Sequence, residues 1–267
     1  VVRYALEEEY VGNREAIADC DMVFIAVPTP TTPEGFDSSA LEAVLPLVGE
    51  GKIAVIKSTV LPGTTKRLQD KFTNIIILHS PEFLREKHAV EDTRKPERTI
   101  IGYPDDSSTY HEAARLVLSV LPEASHTSLC RSEEAELIKY AGNIFLAMKV
   151  IYMNLIYDSA QALGADYEVV ANAMSADSRI GASHMRVIDQ SGHSGSVPGR
   201  GAGGHCFPKD LAAFSKFFAQ ILPDNKDGVA FWQALEDKNK DLLLQTQKDI
   251  DLLQGIYGED IDTENKS

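Results

Sequence analysis

Between Ser132 and Leu163 the chain has no proline and a single glycine, Gly142. Over the same stretch Leu137, Ile138, Ala141, Phe145, Met148, Ile151, Tyr152, Leu155 and Ile156 recur at three- and four-residue steps. That spacing predicts one helix of about 30 residues, roughly 45 Å long, well beyond an ordinary domain helix. Ser132, with Glu136 close behind, gives a loose capping signal at its start. Gly164 is placed to end it. The apolar stripe is too long for one small domain to cover, so the helix is expected to pair with that of a second copy.

The residues before this helix alternate short β-branched runs with helical patterns. Residues 22–27 (MVFIAV) read as a buried strand stopped by Pro28 and Pro30, and residues 53–56, 75–78 and 99–102 read as three more. Leu41, Val44, Leu45 and Val48 fall at helical spacing, as do Leu116, Val117, Val120 and Leu121 before Pro122, and a short helix is expected over residues 64–72. Strand–helix alternation is the signature of a parallel sheet covered on both faces. The fold expected is α/β: a partial Rossmann-like parallel sheet over residues 1–128, then an all-helical dimerisation domain over residues 129–267. In the second part helices are expected over 166–174, 207–222 and 229–253. Residues 191–204, rich in Gly and Ser, read as loop, and the polar tail after Tyr257 is expected to fray.

Charge and cysteine content narrow the function. Asp plus Glu is 40 against 26 Lys plus Arg, a formal net charge of −14, which gives no general attraction to nucleic acid or anionic membrane. A phosphorylated ligand would need a local cluster of donors. No apolar run reaches the length of a membrane-spanning helix. Cys20, Cys130 and Cys206 are odd in number and far apart, which argues against a disulfide framework and for a reducing, cytoplasmic compartment. No His, Cys and Asp grouping has metal-ligand spacing, so no metal is expected.

Three patterns carry chemistry. The strongest is residues 201–210, GAGGHCFPKD. Its glycines let the backbone pass close to a ligand, and Pro208 suits the first turn of a helix. A thiol at a helix N-terminus beside Lys209 favours a nucleophilic thiolate, and Asp210 lies one turn on, facing the same side. Cys20 and Cys130 lack this setting and read as structural. The second pattern is three strand ends: residues 27–31 (VPTPT), 57–60 (KSTV) and 80–86 (SPEFLRE). Open parallel sheets bind ligands at the carboxyl ends of their strands, so all three point to one crevice. The third is Lys139 and Asn143, one turn apart within the apolar pattern of the long helix.

These pieces resemble the UDP-glucose/GDP-mannose dehydrogenase family. The resemblance rests on AVPTPT (residues 26–31), KSTVLPGTT (57–65), SPEFL (80–84), ELIKYAGNIFLA (136–147), RIG (179–181) and GGHCFPKD (203–210), in the family's order and spanning about residues 20–220. It implies oxidation of a nucleotide sugar's 6-hydroxyl to the carboxylate, with two hydride transfers to NAD. Cys206 would be the nucleophile, passing through a thiohemiacetal and a thioester. Lys139 would stabilise negative charge on oxygen. Asp210 and Thr59 would hold or activate water, Asn143 would position oxygen, and Glu82 would serve in acid/base work. Val27, Pro28, Thr29, Pro30, Thr31, Ser58, Thr59, Glu86 and Lys209 would line the NAD site. Glu82, Phe83, Leu84, Lys139, Asn143, Arg179, Gly201, Ala202 and Gly203 would contact the substrate. The long helix would form a homodimer, with Arg179 reaching into the partner subunit's site.

Departures from the family pattern are also on the page. The family's Gly-x-Gly-x-x-Gly turn has no counterpart here, so weak or no NAD affinity is expected of this polypeptide. Residues 1–6 would be a second strand whose partner lies upstream, with Glu7 standing in for the acid that holds the ribose. No second nucleotide-binding unit is expected after Lys248. Ala202 replaces an aromatic, Lys87 replaces a glycine, and residues 191–200 form extra loop before the cysteine motif. Two other readings stay open: a non-catalytic sugar-nucleotide-binding or dimerising member of the family, and a hydroxyacid dehydrogenase, which needs no thiol.

Overall fold

A computed structural model describes residues 1–85 and 88–262. The chain divides into two compact units, Val1–Pro30 with Phe36–Tyr140, and Thr31–Gly35 with Ala141–Ser267.

The first unit is built on a five-stranded sheet. Its strands are β1 (Met22–Ile25), β4 (Ile53–Ile56), β5 (Ile76–His79), β6 (Arg98–Tyr103) and β7 (His126–Arg131), hydrogen-bonded in that order; Thr31–Thr32 (β2) and Gly35–Phe36 (β3) form a separate two-stranded ribbon. β1 and β4 run parallel with Ile25 opposite Ile56, and β4 and β5 run parallel with Ile56 opposite His79. β6 and β7 are also parallel. The α/β class expected from the alternation is what the unit shows.

One junction departs from parallel. β5 and β6 are antiparallel and meet only where His79 faces Gly102. The helix between them, α4 (Ala89–Arg94), buries no residue, so it does not lie across the sheet as a helical crossover must. β7 was not legible in the sequence: it is a mixed, half-exposed edge strand with no apolar run.

Both sheet faces are covered, which is why residues 53–56 are apolar without interruption. Ala54 and Ile56 pack with Ile25, Leu41, Leu45, Leu68 and Ile77. Ile53 and Val55 pack on the other face with Leu78, Ile101, Ala113, Ala114 and Val117. The helices responsible are α2 (Ser39–Val44), α3 (Thr64–Lys71) and α5 (Ser108–Val120). Two expectations are corrected. β1 is not a fully buried strand; it lies at the edge of the sheet and Phe24 is 43% exposed. Residues 1–6 form no strand, because no ladder partner stands beside them among the described residues; α1 (Glu8–Val11) follows directly.

The long helix, α6 (Ser132–Leu163), has 32 residues and contains the division between the units. Its reciprocal cap is not made by Glu136: Glu134 accepts from the backbone N–H of Arg131 at 2.8 Å. Gly164 ends it with φ 65°.

In the second unit Met153 and Ala160 of α6 pack with Tyr167 and Ala171 of α7 (Tyr167–Ser175) and with Met185 and Val187. Three helices follow: α8 (Phe207–Ile221), α9 (Lys226–Gln245) and α10 (Ile250–Tyr257). The single helix expected over residues 229–253 is therefore broken. Gln247 and Asp249 hold left-handed backbone, φ 54° and 55°, and turn the chain between α9 and α10. The tail is not wholly frayed: Glu259–Asp262 forms a 3-10 turn with Ile261 buried beside Leu243, Leu244 and Leu253. Among the described residues no helix is long and apolar enough to cross a membrane.

Candidate active site

In the first unit the strand ends are tied together by their own polar groups. Beyond β1, the N–H of Val27 donates to Ser58 Oγ at 3.0 Å, and that hydroxyl donates to the Val27 carbonyl at 2.7 Å. Thr29 Oγ1 donates to the Thr59 carbonyl at 2.7 Å. Thr29 and Ser58 are buried, whereas Pro28 and Pro30 are exposed. Lys57 links the second strand end to the third, with Nζ 2.8 Å from Glu82 Oε1 and 3.1 Å from Ser80 Oγ. A cavity of about 200 Å³ opens here, lined by Lys57, Ser80, Glu82, Phe83, Leu84 and Arg98 among others. The ring of Phe83 faces the Arg98 guanidinium at 3.9 Å and Lys139 Nζ at 5.6 Å. Lys139 is 8% exposed.

Two residues here escaped the sequence reading as parts of a site. His79 is fully buried with neither ring nitrogen hydrogen-bonded; burial, then the positive charges of Lys57 and Lys139, push it down to about 3, so it is neutral. Glu136 is buried and accepts from the N–H groups of Gly63 at 2.6 Å and Thr65 at 2.7 Å, so it caps α3 instead of its own helix. Burial pushes its carboxyl up to about 7, against those two bonds, which favour the charged form. Glu136 stood in the motif ELIKYAGN, but nothing local indicates which backbone it would meet.

In the second unit Cys206 is the N-cap of α8, exposed, with Pro208 in the first turn. Asp210 follows one turn on and is 1% exposed. Its Oδ2 accepts from Asn143 Nδ2 at 2.6 Å and its Oδ1 from Lys209 Nζ at 2.5 Å. Thr31 Oγ1 donates to the Lys209 carbonyl at 3.0 Å. Ala202 is held on both sides by Asn239, which accepts from its N–H at 2.8 Å and donates to its carbonyl at 3.0 Å. Gly201 has φ 84° and so needs glycine's freedom. Arg179 stands apart from these residues, exposed and paired with Asp177 at 2.6 Å.

The residues expected from the sequence thus form two groups. Val27, Pro28, Thr29, Pro30, Ser58, Thr59, Glu82, Phe83, Leu84 and Lys139 belong to the first unit. Thr31, Asn143, Arg179, Gly201, Ala202, Gly203, Cys206, Lys209 and Asp210 belong to the second. Glu86 lies outside the described residues. The other thiols differ from Cys206 in setting. Cys130 is half-buried, and burial followed by the charge of Glu134 pushes it up to about 11; Cys20 donates weakly to the Ala16 carbonyl. No cluster of His, Cys, Asp and Glu among the described residues has the form of a metal site.

Residues 6–119 match the NAD binding domain, and residues 133–241 the central domain, of the UDP-glucose/GDP-mannose dehydrogenase family. UDP-glucose 6-dehydrogenase TuaD of Bacillus subtilis is 36% identical over 212 residues, 74% of this chain and 42% of its own length. The UDP-glucose 6-dehydrogenase of Pseudomonas aeruginosa is 34% identical over 250 residues, 87% of this chain and 52% of its own. The structure of a UDP-glucose dehydrogenase from Pyrobaculum islandicum superposes with a TM-score of 0.70 at 33% identity, covering 87% of this chain and 54% of that one. The chain spans about half the length of the curated relatives it matches.

Proposed function

Because the chain belongs to the UDP-glucose/GDP-mannose dehydrogenase family, we propose that it carries the NAD-dependent oxidation of a UDP-glucose-like nucleotide sugar at its 6-hydroxyl. Residues 1–128 serve the cofactor, and residues 129–267 serve the thiol chemistry and dimerisation. Val27, Pro28, Thr29, Pro30, Thr31, Ser58 and Thr59 line the cofactor site: the Thr29, Thr31 and Ser58 hydroxyls donate to backbone carbonyls and so shape the strand ends, and the ammonium of Lys209 suits the phosphate oxygens of a dinucleotide. NAD, when bound, would accept one hydride in each of the two oxidations, so that two NAD are consumed per sugar.

In the first oxidation the 6-hydroxyl loses its proton and C6 loses a hydride, giving the aldehyde. The Cys206 sulfur adds to that carbonyl and the oxygen takes a proton, forming a thiohemiacetal. Loss of the second hydride and of the hydroxyl proton leaves a thioester. Water then adds, the C–S bond breaks, and the thiol and the carboxylate are released. Lys139 offsets the charge that develops on the substrate oxygen. Asn143 orients that oxygen, Asp210 and Thr59 hold the water, and Glu82 moves its proton.

The observation that carries this reading is the sequence of groups at the head of α8. An exposed thiol at the N-cap is followed one turn later by a buried carboxylate that Asn143 and Lys209 hold in place. The exposed Phe145, Tyr152 and Leu155 on α6 support a homodimer. The exposed Arg179 is available to reach the partner's site, and the cytoplasm is the compartment its thiols suit. The test is the yield of NADH per UDP-glucose consumed, expected to be two. A yield of one at saturating NAD overturns the mechanism.

A further inference from the structure

The break between α9 and α10 brings two adjacent charged residues inward. Lys248 is 3% exposed and Asp249 is 4% exposed. Lys248 Nζ donates to the carbonyl of Gly201 at 3.1 Å. Asp249 Oδ2 accepts from the N–H of Gly204 and from Ser191 Oγ, each at 2.6 Å, and its Oδ1 is 2.9 Å from His193 Nε2. Left-handed backbone is strained at a residue other than glycine. The conformation at Asp249 therefore persists because of what its side chain holds. The fit is close from the other side as well. A Cβ on Gly203 would lie 2.2 Å from Asp249 Oδ2 and 2.7 Å from Lys248 Cε.

All of these contacts fall on the loop that runs directly into Cys206. We propose that Lys248 and Asp249 are positioning residues for Cys206: the pair fastens the loop over residues 201–204 and so sets the thiol at the head of α8. This rests on the reading of Cys206 as the nucleophile. Asn239 grips Ala202 from α9, so two successive parts of the chain hold the same loop. The clasp needs Asp249 as a carboxylate, because one of its oxygens accepts from both Ser191 Oγ and the Gly204 N–H. Burial pushes that carboxyl up, but the bonds from Ser191, Gly204 and His193 outweigh it and leave it below the ordinary range.

The test is the rate at which iodoacetamide alkylates Cys206 at neutral pH, read by peptide mass spectrometry, with Cys20 in the first unit as internal reference. Asp249→Ala frees the Gly204 N–H and lets the turn before α8 drift. It should slow Cys206 relative to Cys20 by about threefold or more, since the thiol leaves its place at the helix N-terminus. Asp249→Asn keeps one acceptor oxygen and should fall between the two. Gly203→Ala pushes the carboxylate away from the loop side and should act in the same direction, which keeps the question answerable where Asp249→Ala fails to fold. A purely structural Asp249 would lower the melting temperature and leave the ratio of rates unchanged. Wild-type ratios in folded Asp249→Asn and Gly203→Ala overturn the proposal. Alkylation needs neither NAD nor sugar, so an altered ratio together with one NADH per sugar overturns the dehydrogenase mechanism and leaves the clasp standing.

Discussion

Asn143 Nδ2 donates to Asp210 Oδ2 at 2.6 Å, joining α6 to α8 across 67 residues of sequence. The carboxylate is almost fully buried, and its other oxygen is taken by Lys209. A hydrogen bond to a charged group contributes about 1.5–3 kcal/mol, and removing one partner leaves the buried charge to bear its own desolvation. Asn143→Ala should therefore lower unfolding free energy by about 1–3 kcal/mol and reduce turnover as well. Asp210→Asn sets an amide against the Asn143 and Lys209 donors and should be at least as costly. Urea unfolding of the two variants checks this, and wild-type midpoints in both would contradict it.

Cys206 and Cys130 should respond to substitution in opposite ways. Serine is a poor nucleophile near neutral pH, and its ester is cleaved less readily than a thioester. Cys206→Ser should leave folding and sugar binding near normal and stall at the aldehyde or at a covalent adduct, which mass spectrometry of the trapped protein would show. Cys130 is held protonated by burial, so Cys130→Ser should cost some stability and leave the yield of NADH unchanged. Two NADH per sugar at the normal rate from Cys206→Ser would take Cys206 out of the mechanism.

What could be read from the chain depended on whether each signal was local. Residues 53–56 announce a strand because both their faces are buried, and residues 132–163 announce a helix because one apolar stripe persists from Leu137 to Ile156 with no proline to interrupt it. β7 carries no such signal, since this half-exposed edge strand sets Leu129 against the core and is otherwise mostly polar. The break after α9 was invisible for a different reason. Lys248 and Asp249 look like ordinary surface residues until the loop over residues 201–204 supplies their partners, about 45 positions earlier in the chain. The same holds for Glu136, whose donors at the start of α3 lie 71 and 73 positions away. The cysteine motif was legible as chemistry, but not the Asn143 bond that holds its aspartate.

Phe145, Tyr152 and Leu155 leave an apolar stripe on α6 that is exposed in the single chain. Covering it should make the protein a dimer at micromolar concentration. Burying each large side chain is worth about 1.5–3 kcal/mol, so Phe145→Lys with Tyr152→Asp should shift the sedimentation profile to monomer while the helical circular dichroism persists. A wild-type protein that sediments as a folded monomer would refute the pairing.

The pH dependence of stability should carry the mark of Glu136. Its carboxyl ionises near 4.5 when unfolded and near 7 when folded, because burial favours the neutral acid. Between those two values the folded chain holds a proton that the unfolded chain has released. Unfolding free energy from this group is therefore greatest below about pH 4.5 and falls as pH rises toward 7, with a full effect on the order of 3 kcal/mol. Glu136→Gln removes the titration. It sets an NH2 group against one of the two N–H donors at the start of α3 at every pH, so it should be the less stable protein in acid. As pH rises from about 4.5 to above 7 the wild type gives up its advantage and the variant does not, so the gap should narrow or reverse. Urea unfolding at several pH values across that window measures the difference. A gap that stays constant would mean that the N–H groups of Gly63 and Thr65 already hold Glu136 as a carboxylate.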